Sequence, residues 1–259
     1  MEIKKYNRQF RWLVLIVIIV HVLYSNLYDL IIPGNTIVSI TEEYRNFFIP
    51  AGYTYLIWIV VHAALLIYGV YQLLPSQKDN MLFNIVSLPL MISVTLNIWW
   101  GVTFHLELLT ASMIILLLAL TAAFMAYKPV HNALLDKEVS KWILVPFSLY
   151  TAWLIASCFI NLTVWLVFMK TSGSVLGEIN LARILILGIM GVAVVLGYIY
   201  WDYVIPLVIA WLEIGIYIAN KDNYTPVGLA AFFCGVVLLL WSGIIFYVKK
   251  NPRTDAQIR

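Results

Sequence analysis

Long apolar runs limit the folds open to this chain more than any other feature. Such runs lie near residues 10 to 32, 53 to 74, 81 to 103, 108 to 127, 141 to 169, 181 to 200, 203 to 219 and 226 to 248. A membrane-spanning helix needs roughly 20 apolar residues, whereas a barrel strand needs about ten with in-out alternation. The runs therefore predict an all-α polytopic membrane bundle of about eight transmembrane helices. The 259 residues leave no room for a folded extramembrane domain.

The composition agrees with a bilayer as the solvent. Hydrophobic residues make up 63% of the chain, charged residues 11%, and the mean hydropathy is +0.92; about a quarter of the residues are charged in a soluble domain. The net charge is +3, and the positive residues cluster at the chain ends and in one loop, so no nucleic-acid partner is expected. Cys158 and Cys234 lie inside apolar runs without metal-binding spacing, and no metal site is expected.

The basic residues predict the orientation of the chain in the membrane, because short loops rich in Lys and Arg remain on the cytoplasmic side. With the N-terminus inside, 12 of the 16 fall on one side: Lys4, Lys5, Arg8, Arg11, Lys78, Lys128, Lys137, Lys141, Lys249, Lys250, Arg253 and Arg259. The other four are Arg45, Lys170, Arg183 and Lys221. Both termini are therefore expected in the cytoplasm. The longest outer connection, from Pro33 to Gly52, is either a cap over the bundle or a plain surface loop.

Three predicted helices align aromatic and polar residues at helical spacing. The stripes are Tyr55, Trp58 and His62; Ser93, Asn97, Trp100 and Phe104; and Tyr150, Trp153, Ser157 and Asn161. Trp58, Asn97 and Asn161 lie at similar depths, roughly 8 to 12 Å below the outer surface. One interpretation is a shared cavity for a flat, mostly apolar ligand with polar edges. The other is that Asn and Ser hydrogen-bond helix to helix while Trp fills the core.

The motifs along these helices resemble those of the TspO/MBR family, the tryptophan-rich sensory proteins related to the mitochondrial translocator protein. The string PAGYTYLIW ends at Trp58, and the next helix has Leu96, Asn97, Trp100 and Phe104. The fifth predicted helix, near residues 141 to 169, has Pro146, Phe147, Trp153, Ala156, Ser157, Asn161 and Trp165. The resemblance covers residues 10 to 169, although His62 stands where an aromatic residue is usual. The whole chain is similar to a longer bacterial branch of the family. We therefore expect a five-helix core in residues 1–170 and three added helices with a short tail in residues 171–259.

This resemblance implies an integral protein of the bacterial cell membrane that binds a tetrapyrrole, such as protoporphyrin or haem, or a similar flat hydrophobic ligand. Trp58 and Trp153 would form stacking walls, with Asn97, Trp100 and Phe104 beside them. Asn161 would contribute to the site or hold its helix to a neighbour. The implied role is sensory, regulatory or transport. No motif requires a cofactor, no catalytic residue is assigned, and porphyrin breakdown, proposed for family members, is the less favoured reading. Expected partners are lipid, a small hydrophobic ligand and, as an open alternative, a second copy of the chain.

Buried ionisable residues support a second hypothesis, a proton-coupled secondary transporter of a small molecule. His21, His62 and Glu213 lie inside apolar runs, where charges are costly and often functional. The simpler alternative is that neutral histidines hydrogen-bond across helices and that Glu213 is protonated or paired with Arg183. His105 and Glu107, at the end of the third run, are interpreted as a solvated loop rather than a metal site.

Overall fold

The structure, a computed structural model, describes residues 3–31, 36–136, 139–170 and 175–250. Within these ranges the chain forms helices and no strands, which confirms the all-α prediction. The α-helices are α1 (Ile3–Ile31), α2 (Ile37–Glu43), α3 (Ile57–Tyr71), α4 (Met81–His105), α5 (Leu109–Leu135), α6 (Leu144–Phe168), α7 (Val175–Tyr200), α8 (Val204–Asn220) and α9 (Thr225–Lys250).

The helices other than α2 correspond to the predicted spans. Among the described residues, seven are long and apolar enough to cross a membrane, and α8, with 17 residues, is a shorter apolar helix at the lower limit of about 17. The predicted end of the fourth span at residue 127 is wrong, because α5 continues through Lys128 and Pro129 to Leu135.

The first compact unit contains Met1–Tyr44 and Leu56–Trp165, so that it holds α1 to α5 and most of α6. The described beginning of the outer connection forms α2, where Thr36 and Ser39 make a reciprocal capping box. Next to it, the Tyr44 hydroxyl donates a hydrogen bond of 3.0 Å to Glu107 Oε2, just beyond α4. Desolvation, and secondarily this bond, raises the pKa of Tyr44. This part of the connection therefore folds onto α4, whereas 33–35 lie outside the described residues.

A buried arginine joins α1 to the turn between α3 and α4. Arg11 is only 2% exposed, and its Nε donates to Asn84 Oδ1 at 2.7 Å. Its remaining nitrogens donate to the carbonyl oxygens of Gln72, Gln77 and Asn80 at 3.3, 2.7 and 2.6 Å. A planar guanidinium reaches several acceptors at once, which the ammonium of a lysine cannot reproduce.

The second compact unit contains Arg45–Tyr55 and Leu166–Arg259, and thus α7, α8 and α9. The segment Arg45–Tyr55 is fixed to α8 at three levels. Its Ala51 amide donates to Gly215 O at 3.0 Å, Trp211 Nε1 donates to Thr54 O at 2.8 Å, and Asn220 Nδ2 donates to Phe47 O at 3.1 Å. The expected boundary at residue 170 stays a prediction.

Gly215 permits this close approach. A methyl group in place of its hydrogen would collide with Thr54 Oγ1 and lie 3.0 Å from both Thr54 Cγ2 and Pro50 Cβ. The absence of a side chain at Gly215 therefore lets the segment lie directly on the backbone of α8.

We expect Gly215→Ala to lower the stability of the protein by about 2 kcal/mol, as overpacking typically does. Gly191→Ala on α7 is the matched control, since no heavy atom of the described residues, apart from its chain neighbours and its own helix backbone, lies within 4 Å of an added methyl group there. That change should be neutral or stabilising, because alanine favours helix over glycine. Thermal unfolding in detergent, followed by circular dichroism, measures both. Equal stability of the two variants would contradict the packing described for Gly215.

Arg11→Lys and Arg11→Leu should each lower stability by about 3 kcal/mol, because buried carbonyl groups lose hydrogen bonds from a charged donor. Leu13→Ala serves as the control, since Leu13 is 43% exposed on the same helix. The same unfolding experiment applies. If Arg11→Lys unfolds at the wild-type temperature, the guanidinium geometry is not what holds the turn.

Candidate functional site

Aromatic and imidazole rings from α1 and α3 meet inside the first unit. The ring of Trp58 stacks on that of His62 with centroids 5.1 Å apart, as expected for residues four apart on one helix. His21 on α1 lies against both, with centroids 5.6 Å from Trp58 and 4.9 Å from His62. The structure thus brings together two histidines that the sequence placed only by depth.

Two further helices complete the group. Asn97 on α4 lies 2.7 Å from His21, measured between Oδ1 and Nε2. Since an amide oxygen can only accept, this geometry places the imidazole hydrogen on Nε2 and leaves Nδ1 as an acceptor, 3.4 Å from Ser25 Oγ. Trp153 on α6 meets Trp58 edge to face at 6.3 Å. We call His21, Trp58, His62, Asn97 and Trp153 the histidine–tryptophan cluster.

Several buried polar atoms in and beside the cluster have no hydrogen-bond partner among the described residues. Among them are His62 Nε2, Asn97 Nδ2 and Trp100 Nε1. Their side chains are 6%, 3% and 8% exposed. Unsatisfied polar atoms are rare in a buried interior because each costs desolvation energy. His62 Nε2 and Asn97 Nδ2 belong to side chains of the cluster itself and are polar groups that a ligand or water can bind.

The predicted stripe on α4, which consists of Ser93, Asn97, Trp100 and Phe104, lies partly in this cluster and partly in the core next to it. Trp100 and Phe104 lie next to each other on α4, with ring centroids 5.6 Å apart, and Phe104 is buried. Ser93 donates to the carbonyl oxygen of Ala119 on α5 and lies 3.1 Å from the hydroxyl of Tyr150 on α6. Ser93 therefore joins helices.

Two predicted site residues have other positions. Tyr55 lies in the short 3-10 helix Gly52–Leu56, ahead of α3, and belongs to the second unit, so that the helical spacing applies only to Trp58 and His62. Asn161 Nδ2 donates to Ser112 Oγ at 3.1 Å, and Ser112 in turn donates to Leu109 O at 2.8 Å. Asn161 therefore holds α6 to α5, and its expected contribution to the ligand site stays a prediction.

The contact between α1 and α4 continues beyond His21 and Asn97, and the sequence analysis did not predict this continuation. Tyr28 stacks on His105, with centroids 3.3 Å apart. The Tyr24 hydroxyl lies 3.4 Å from His105 Nδ1. His105 is 4% exposed, so its interpretation as part of a solvated loop is wrong. The signal was present in the spacing of His21, Tyr24 and Tyr28, which follow i, i+3 and i+7 on α1.

Glu213, the third proton-coupling candidate, lies on α8 in the second unit. The side chain is fully buried, and neither carboxyl oxygen has a hydrogen-bond partner among the described residues. The suggested pairing with Arg183 is therefore not made in the described structure. His21 and His62 meet in the first unit.

A double-mutant cycle tests the pairing of His21 with Asn97. His21→Phe or Asn97→Leu alone leaves one buried polar group unpaired and should cost about 1 to 2 kcal/mol, whereas both together remove the unpaired group. We expect the double variant to be more stable than the sum of the single losses predicts. Chemical unfolding of the purified variants gives the coupling energy, and strict additivity would contradict the hydrogen bond.

A comparison with models of known protein families gives a match over most of the chain. A family model described as TSPO-like protein matches residues 10–244, which is most of the chain and includes all or most of each long helix. No curated protein and no solved structure matches the chain. With its apolar helices and its match over most of its length, the chain belongs to the family of TSPO-like membrane proteins.

Proposed function

We propose that this protein binds a tetrapyrrole or a similar flat hydrophobic ligand at the histidine–tryptophan cluster, with a sensory, regulatory or transport role. The observation that supports this most strongly is the meeting of rings from α1, α3 and α6 beside buried polar atoms without partners. Stacked rings favour a planar apolar ligand, and a few polar groups fix its orientation. A tetrapyrrole has both properties.

Ligand entry requires one ring of the cluster to move, because the rings contact each other directly. Trp58 is the ring best able to do so. It is only half-buried, whereas Trp153 is fully buried. We therefore assign Trp58 as the movable wall and Trp153 as the fixed one. His62 Nε2 and Asn97 Nδ2 would then bind polar edges of the ligand.

A second function, proton-coupled transport of a small molecule, is favoured by one observation, the contact between the imidazoles of His21 and His62. Adjacent imidazoles suit proton transfer. Uptake that depends on a pH gradient and on Glu213 would support this function over simple binding. An enzyme acting on porphyrin would instead show turnover controlled by light and oxygen rather than saturable binding.

The location proposed for this activity is the bacterial cell membrane, with both termini in the cytoplasm. The distribution of 12 of the 16 basic residues on one side supports this orientation. A homodimer remains part of the proposal. Fusion of a reporter to either terminus tests the orientation, since both fusions should report the cytoplasmic side.

Tryptophan-fluorescence quenching by protoporphyrin and by haem tests the proposed site. Wild-type protein in detergent should show saturable quenching, and Trp58→Phe and Trp153→Phe should each weaken binding about fivefold, since an aromatic contact contributes roughly 1 kcal/mol. Circular dichroism checks that both variants fold.

Trp99→Phe is the matched control. Trp99 lies on α4 beside Trp100 but is 57% exposed, so its replacement should leave the affinity unchanged. Absence of saturable quenching would contradict tetrapyrrole binding. Equal affinity in the wild type and all three variants would show that binding takes place elsewhere.

A further inference from the structure

Glu213 lies where the described residues provide no hydrogen-bond donor to stabilise an ionised carboxyl group. It lies in the middle of α8, and its neighbours one turn away on the same helix, Ile209, Ala210 and Ile216, are all 0% exposed. Glu213 is itself 0% exposed, and both its carboxyl oxygens are enclosed without a hydrogen-bond partner. Tyr217, the other neighbour one turn away, is half-buried, and its hydroxyl makes no hydrogen bond to Glu213. The carboxyl group is therefore flanked mainly by apolar side chains within its own helix.

The neighbouring helix α9 closes over Glu213 at a glycine. A methyl group added to Gly235 would lie 3.4 Å from Glu213 Cβ and 3.7 Å from Ala210 O. Helix backbones approach closely where glycine lies at the contact, and little space remains there for water. The packing of α8 against α9 thus isolates the carboxyl group from solvent.

The ionisable groups of the surrounding elements do not neutralise Glu213. On α9, Cys234 is buried next to Gly235, and its thiol provides no positive charge. On α7, the side chain of Arg183 is exposed, and Glu178 would carry a charge of the same sign as Glu213. On the segment Arg45–Tyr55, the cation is Arg45, also exposed. None of these groups makes a hydrogen bond to either oxygen of Glu213.

Placing an unpaired charge in an apolar interior is far more costly than placing the neutral acid there. A carboxylic acid has one O–H donor and can still form a local hydrogen bond, whereas a carboxylate has only acceptors. We propose that Glu213 is a proton-binding site of the C-terminal helices, independent of the histidine–tryptophan cluster. The side chain holds a proton while α9 covers it.

Infrared spectroscopy of the protein at pH 7 in a detergent without ester groups tests this site directly, because ester carbonyl groups of phospholipid absorb where a protonated acid does. Exposed Asp and Glu side chains are ionised at this pH, since their usual pKa is about 4. A protonated acid gives a separate carbonyl band, and we expect wild-type protein to show it and Glu213→Gln to lose it. Gln has nearly the same shape, and circular dichroism confirms the fold of the variant.

Glu178→Gln is the matched control, because Glu178 lies at the start of α7 in the same unit and is only half-buried. This variant should keep the carbonyl band at full intensity. The proposal is overturned if wild-type protein has no protonated-acid band, or if Glu213→Gln removes intensity from the ionised carboxylate band instead.

Should Glu213→Gln fail to fold, labelling of the wild-type protein by a lipid-soluble carbodiimide decides the matter. An acid oxygen bonds to the central carbon of the carbodiimide while the acid proton moves to one of its nitrogens. Transfer of the acyl group to nitrogen then gives a stable acylurea, without a leaving group. Peptide mass spectrometry should find this adduct at Glu213 at pH 7, and its absence there would overturn the proposal.

Discussion

The constraint on which the structure depends is the absence of water inside the membrane, which requires polar side chains to find partners within the chain. The hydrogen bond between His21 and Asn97 meets this requirement for α1 and α4. Ser93 and Asn161 do the same for the contacts of α5 with α4 and α6. Polar atoms that are left over after these pairings are therefore the exceptions that call for a functional explanation.

The pairing of α1 with α4 determines the surroundings of the exceptions in the histidine–tryptophan cluster. Contacts proceed in the same direction along both helices, from Arg11 with Asn84, through His21 with Asn97, to Tyr28 with His105. This order fixes the register of the two helices. The register in turn places the imidazole of His21 against the Trp58 ring.

The sequence predicted the spans well because bilayer thickness imposes helix length and apolarity. It also predicted that Trp58 and His62 share a face, since spacing along a helix determines this. Spacing does not determine which neighbour a face meets, and so the contact of Asn161 with Ser112 remained one of two alternatives. The attachment of Arg45–Tyr55 to α8 was missed because it depends on backbone carbonyl groups, which no residue type identifies.

We propose that a flat ligand binds within the histidine–tryptophan cluster. Illumination of protein loaded with protoporphyrin, followed by peptide mass spectrometry, tests it, because a bound photosensitiser oxidises the side chains nearest to it. The account predicts oxidation of Trp58, Trp153 and His62 that saturates with porphyrin concentration, and little oxidation of lipid-exposed Trp99. Oxidation mainly at Trp99, increasing without saturation, would contradict the account.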